Sequence, residues 1–63
     1  MNIKFKTKSG SLYEVDDKDL RYRKNNGNWI SIVTYLQRKD DRFIFIHKDN
    51  DTMITTTKVV CWL

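Results

Sequence analysis

The chain has few of the residues that stabilise or activate very small proteins. Its 63 residues include one cysteine, Cys61, one histidine, His47, and no proline. A single cysteine excludes an internal disulfide, and a zinc site needs about four ligands, typically Cys and His pairs at short spacing. We therefore expect neither a disulfide framework nor a metal site. Self-association is one remaining way for so small a chain to bury more surface.

Long apolar runs are also missing. No segment approaches the ~20 apolar residues of a membrane span, and no apolar N-terminal stretch resembles a signal peptide. Together with the lone thiol, this predicts a soluble cytoplasmic protein with no membrane partner. A chain of this length buries only about 60% of the surface that it exposes when unfolded, so residues 1–63 are expected to form one small domain.

The net charge of +4 is distributed unevenly. Basic residues fall on predicted strands, including Lys4, Lys6 and Lys8, whereas most acidic residues fall in predicted turns. Basic strand faces suit an anionic partner. Alternating lysines can equally protect an edge strand from aggregation, and the sequence leaves both interpretations open.

Period-two alternation of apolar and polar residues dominates the chain and predicts strands. We place them at 3–7, 12–15, 20–24, 28–33, 42–47, 53–57 and 59–63. Segment 34–41 is left open between a short helical turn and a loop. The expected fold is all-β: a small barrel or strongly bent antiparallel sheet of five to seven short strands, similar to an SH3 domain.

The predicted turn at 25–27 sets the register of its hairpin. A two-residue loop would pair Arg23 with Ile30 and place charge against the core. A three-residue loop, with Gly27 left-handed in a bulge, pairs Tyr22 with Ile30 and Leu20 with Ile32. Burial favours the second register, which predicts an exposed patch of Arg21, Arg23 and Trp29.

This patch is the candidate binding site. Arginine and lysine attract phosphate, and a tryptophan face can stack on a base or hold a cation. A nearby turn could add hydroxyl and amide donors. The candidate ligand-binding residues are Ser9, Gly10, Ser11, Tyr13, Arg21, Arg23, Lys24 and Trp29. The alternative is a cation–π pair that only covers an exposed tryptophan, and both interpretations stand.

Two predicted strands, 43–46 and 59–63, are apolar on both faces. The outer face of a small barrel should be hydrated, so this pattern suggests a second buried surface, most simply in a homodimer. The alternative is that segment 34–41 or a loop covers the outer face.

No constellation of residues predicts catalysis. His47 has no nucleophile at an informative position and is expected to be structural or solvated. The Asp49-Asn50-Asp51 stretch lacks the glycine and the distal glutamate of a calcium loop and is interpreted as a turn. We expect a protein that is not an enzyme and needs no cofactor.

Several short motifs resemble a set of very small accessory proteins encoded by bacterial viruses. Residues 7–16, Thr-Lys-Ser-Gly-Ser-Leu-Tyr-Glu-Val-Asp, are followed by the Arg21 and Arg23 strand and by Thr56-Thr57-Lys58-Val59. Lys58 stands where those proteins are expected to have proline. The resemblance implies an accessory protein acting inside a bacterial host, on a host protein or on a nucleotide signal.

The sequence thus predicts a non-enzymatic binding protein of anti-defence type that sequesters a small anionic nucleotide. Two alternatives remain: a nucleic-acid-binding small barrel, and a protein–protein inhibitor of a host factor. Salt-sensitive oligonucleotide binding would favour the first alternative. No binding of nucleotides or oligonucleotides, together with an apolar patch away from any cleft, would favour the second.

Overall fold

The computed structural model describes residues 2–63, which form seven β-strands and no helix. The all-β prediction is confirmed. The strands are β1 (Asn2–Thr7), β2 (Leu12–Asp16), β3 (Arg21–Lys24), β4 (Ile30–Gln37), β5 (Phe43–His47), β6 (Met53–Thr55) and β7 (Val59–Trp62).

All strands join one antiparallel sheet in the order β6-β5-β4-β3-β2-β1-β7. Strands β1 to β6 follow one another as a meander, and β7 returns to pair with β1. The amide of Val59, which begins β7, donates a 2.7 Å hydrogen bond to the carbonyl of Asp41, just before β5. Within residues 2–63 no ladder joins β6 to β7, so the sheet is strongly bent but not closed.

Strand β4 carries the bend because it pairs with different neighbours along its length. Its first residues, Ile30 and Ser31, pair with β3. Residues from Ile32 onward pair with β5, and the register of this pairing shifts between Ile32 and Thr34. A bulge of this kind bends a strand and increases its twist.

Segment 34–41 contains no helical turn, so this alternative for the segment is wrong. Strand β4 continues to Gln37, because period-two alternation persists there: Tyr35 packs inward, 6.2 Å from the Phe43 ring, while Leu36 faces outward. The chain then reverses at residues 38–42, where the Arg38 amide donates to the Arg42 carbonyl.

An aromatic core fills the inside of the bend. Its buried members are Phe5, Tyr13, Val15, Tyr22, Ile32, Phe43, Phe45 and Val59. Stacked rings join the two halves of the sheet, with centroids 4.5 Å apart for Phe5 and Phe43 and 4.0 Å apart for Tyr22 and Phe45. Because burying one such side chain is worth about 1.5–3 kcal/mol, these contacts are the main source of stability.

Two sequence-based interpretations need correction. Strand β1 lies between β2 and β7, so Lys4 and Lys6 do not protect a sheet edge. The sequence places Leu20 in the third strand opposite Ile32, but β3 begins at Arg21. Leu20 has a left-handed backbone with φ of 49° and an exposed side chain, although its carbonyl accepts the Ile32 amide.

Candidate ligand-binding face

The hairpin between β3 and β4 has the register predicted from burial. Arg21 pairs with Ser31 and Tyr22 with Ile30. The turn itself differs from the prediction: Asn25 and Asn26 have positive φ, of 52° and 57°, whereas Gly27 does not. The Gly27 amide donates to the Lys24 carbonyl at 3.0 Å. Two left-handed asparagines form a type I′ turn, because asparagine tolerates this conformation better than most residues.

Trp29 lies in the irregular segment that follows this turn. The turn and the paired strands differ in register by one residue, so the segment of residues 28 and 29 accommodates one extra residue. The Trp29 ring is half-buried over two arginines. The guanidinium carbons of Arg21 and Arg23 lie 4.4 and 4.6 Å from its centroid. The structure therefore brings these three predicted residues together on the outer face.

Each arginine is also paired with a carboxylate on β2. Arg23 donates from Nε and Nη2 to the same Glu14 oxygen, at 3.0 and 2.8 Å. Arg21 donates from Nε to Asp16 at 3.1 Å, with Asp19 at 4.0 Å. The cross-strand pairs of β2 and β3 place these partners opposite each other. The charge of both arginines is thus partly compensated before any ligand arrives.

The two carboxyl groups are held in their ionised form. Hydrogen bonds from Arg23 lower the pKa of Glu14, against the opposing effect of burial. Burial raises the pKa of Asp16, but hydrogen bonds from Arg21 and from the amides of Asp19 and Lys18 outweigh it, so the net pKa is lowered. Through these two amide bonds the Asp16 side chain also stabilises the turn that follows β2.

A shallow hollow of about 180 Å³ opens beside Arg23 on the same face. It is lined by Lys4, Leu12, Tyr13, Glu14, Arg23, Asn26 and Leu63. Leu63 reaches it because its amide donates to the Lys4 carbonyl at 2.9 Å, where the C-terminus runs alongside β1. The predicted site residues do not include Lys4, Leu12, Glu14, Asn26 or Leu63, because the proximity of these residues depends on how the strands pair.

Tyr13 lines this hollow, and Lys24 lies near Tyr13. The Tyr13 ring is only 8% exposed and stacks on Phe5 in the core, with centroids 5.3 Å apart. Burial raises the pKa of its phenol. The Lys24 ammonium is exposed, 5.9 Å from the Tyr13 ring. Tyr13 therefore offers a ligand little surface, while Lys24 stays available.

The turn containing Ser9, Gly10 and Ser11 lies at the same end of the sheet as the asparagine turn. The link is made by Leu12 and Asn25, which exchange hydrogen bonds of 2.9 and 2.7 Å. Gly10 has φ of 87° and donates its amide to the Thr7 carbonyl, so this amide serves the turn. The Ser9 hydroxyl lies within hydrogen-bonding distance of the hydroxyls of Thr7, Ser11 and Thr57.

Neither a metal site nor a membrane-spanning helix is found in the described part of the chain. Among residues 2–63, no three His, Cys, Asp or Glu side chains come together as a metal site would require. The same residues contain no helix long and apolar enough to span a bilayer.

No family model, no curated protein and no solved structure matches this chain. The function is therefore inferred from the geometry of this face.

Proposed function

We propose that this protein is a non-enzymatic binding protein for a small anionic nucleotide, which it takes up in the hollow beside Arg23. One observation carries the proposal: the hollow combines apolar lining from Leu12 and Leu63 with cationic lining from Lys4 and Arg23. Ligand sites typically pair an apolar lining with a few polar groups that fix orientation. A nucleotide needs both, because its base is flat and weakly polar while its phosphate is charged.

The two cations that line the hollow, Arg23 and Lys4, differ in how firmly they are held. Arg23 has five N–H donors, of which Glu14 occupies two, so the others remain for a phosphate. Glu14 and Trp29 fix the position of the guanidinium, which reduces the entropy lost on binding. Lys4 forms no ion pair within 4.0 Å in the described part of the chain. It lies opposite Glu14, whose pKa its charge helps to lower, so its ammonium is only loosely compensated.

The volume limits how much of a ligand one chain can enclose. Typical small-molecule pockets measure about 300–1,000 Å³, and this hollow measures about 180 Å³. One chain would therefore hold the base or the phosphate group and leave the remainder at the surface, near Lys24 and the Ser9 to Ser11 turn. Such a protein lowers the concentration of free ligand without chemical change.

An extended nucleic acid fits this face less well. Glu14 and Asp16 lie between the lysines of β1 and the arginines of β3, so a row of phosphates would meet anions as well as cations. The resemblance to accessory proteins of bacterial viruses gives this proposal its biological setting: sequestration of a nucleotide signal inside a bacterial host.

The test is a thermal-shift screen with mononucleotides, cyclic nucleotides and short oligonucleotides at low and high salt. Ligand at a hundredfold excess over Kd stabilises the native state by about 2.7 kcal/mol, and each kcal/mol raises Tm by about 4–8 °C in a domain of this size. We expect a salt-tolerant shift with one nucleotide. Lys4→Met should remove this shift, whereas Lys39→Met, at an exposed lysine in the 38–42 turn, should not.

Two results would reject the proposal. One is a shift seen only with oligonucleotides and lost steeply with salt, because release of counterions from many phosphates produces that dependence. The other is no shift with any nucleotide under either condition.

A further inference from the structure

The outer face of β4, β5 and β6 carries no ionisable side chain. Its outward positions are Thr34, Leu36, Ile44, Ile46, Met53 and Thr55. The outer face of β1 to β3 differs completely, since it carries Lys4, Lys6, Glu14, Arg21 and Arg23. In a chain with 32% charged residues, an uncharged sheet face is a distinct surface.

Nothing within residues 2–63 covers this face. Leu36 is 55% exposed and Met53 is 61% exposed. The adjoining 38–42 turn approaches β7 instead, through the bond between the Val59 amide and the Asp41 carbonyl. The alternative in which segment 34–41 covers the outer face is therefore wrong for β4 to β6, because residues 34–37 belong to β4 and form part of that face.

The strand register arranges the six side chains in two rows across the strands, and the order of small and large side chains is reversed from one row to the other. The first row reads Thr34, Ile46, Met53 from β4 to β6. The second row reads Leu36, Ile44, Thr55 in the same direction. A threonine thus begins one row and ends the other, and an isoleucine lies at the centre of both.

This arrangement makes the face complementary to itself. If two copies meet face to face about a two-fold axis parallel to β5, Thr34 of one copy lies opposite Met53 of the other, and Leu36 lies opposite Thr55. If the axis runs along the rows, Thr34 lies opposite Leu36, and Met53 opposite Thr55. In both cases large side chains meet small ones and isoleucine meets isoleucine, as interdigitated packing requires.

Charge also favours a second copy at this face. Each chain carries a net charge of +4, so two copies repel each other, and the repulsion is smallest where the contact itself contains no like charges. The uncharged face is on the other half of the sheet from Arg21 and Arg23. Charged residues adjoin it at one end, where Arg38 and Arg42 are both paired with Asp40. The six outward strand positions of the face allow close approach with no lysine or arginine among them.

We propose that two copies of this chain associate through the outer faces of β4, β5 and β6, stacked as two aligned sheets. Packed sheets lie about 10 Å apart with strands about 30° from parallel. The association leaves the hollow beside Arg23 open in both copies. It does not depend on what that hollow binds.

The test is the mass of the protein in solution, measured by sedimentation equilibrium over a range of concentrations. We expect a species of twice the 7.6 kDa chain mass, and a Tm that rises with protein concentration. Leu36→Lys and Met53→Lys should each give a monomer, because each puts two cations into a two-fold interface. Val60→Lys is the matched control: Val60 is 57% exposed on β7 and should leave the dimer intact.

Circular dichroism at a concentration where the wild type is monomeric checks that the variants fold. A wild-type protein that stays monomeric at every concentration overturns the proposal and assigns the face to a different partner. A dimer that survives both lysine variants, or that only Val60→Lys disrupts, overturns it as well.

Discussion

Arg23 and Glu14 form the closest ion pair on the outer face, with both Nε and Nη2 of the arginine bonded to one carboxylate oxygen. Arg23, which the sequence predicts to bind phosphate, therefore already has a carboxylate partner. The pair also holds the guanidinium against Trp29, 4.6 Å from the ring centroid. Glu14 thus holds the Arg23 guanidinium in place before any ligand binds.

The pair should contribute modestly to stability in a pH-dependent way. Because the pKa of Glu14 is lowered below its usual value of 4.5, the contribution is present above that pH and is lost as pH falls through the folded-state pKa. A double-mutant cycle with Glu14→Gln and Arg23→Met should give a coupling of about 0.5–1 kcal/mol at pH 7, in the range of partly exposed pairs.

Urea unfolding at pH 7 and at pH 3 measures this coupling. It should shrink at the lower pH. A coupling of the same size at both pH values would show that the contact is not ionic.

Replacing Trp29 by alanine should destabilise the fold without disrupting the core. The change removes two cation–π contacts, each worth about 0.5–1 kcal/mol, and uncovers the stems of Arg21 and Arg23. We expect a loss of about 1–2 kcal/mol in the free energy of unfolding. Trp29→Phe should retain part of it. Equal stability of all three proteins would mean that the ring only rests on the surface.

Tyr22 and His47 should be coupled across the core. The Tyr22 phenol lies 2.6 Å from His47 Nε2, and the tyrosine ring is buried against Phe45. Tyr22→Phe leaves a half-buried imidazole nitrogen without this partner and should cost about 1–2 kcal/mol in urea unfolding. Tyr35→Phe, at a half-buried ring, is the control and should change stability by less than about 0.5 kcal/mol. Similar losses for both variants would count against a specific contribution from the bond.

The asparagine turn should tolerate glycine but not alanine. Asn26 has φ of 57°, a conformation that costs an ordinary residue about 1–2 kcal/mol. Asn26→Ala should therefore lower the free energy of unfolding by about 1 kcal/mol, while Asn26→Gly should leave it nearly unchanged. If thermal melting shows the two variants to be equally stable, the left-handed conformation at Asn26 is not what the turn requires.

The sequence predicts the strands well, because alternation in one segment needs no knowledge of another. It also predicts the register of Tyr22 with Ile30, since only one register keeps the arginines out of the core. It misses the end of β4, where the segment from Tyr35 to Arg38 is equally compatible with a helical turn when no neighbouring strand is known. It also assigns the left-handed position to Gly27, although the two preceding asparagines adopt it.

The site was only partly predictable for a physical reason. The approach of Arg21, Arg23 and Trp29 follows from one hairpin. The carboxylate partners depend on the register of β2 with β3, and the hollow depends on Leu63 lying beside Lys4 at the far end of the chain. Such long-range pairing is set by the whole core, which local patterns do not specify.

The most direct test of the proposed function is a ¹H–¹⁵N NMR titration of the full chain with the nucleotide that gives the largest thermal shift. The amides of Lys4, Leu12, Arg23 and Leu63 should change together and saturate at one affinity. Those of β5 and β6 should stay unchanged, apart from any effect of self-association measured separately. Changes confined to β5 and β6, or absent throughout, would contradict a nucleotide site beside Arg23.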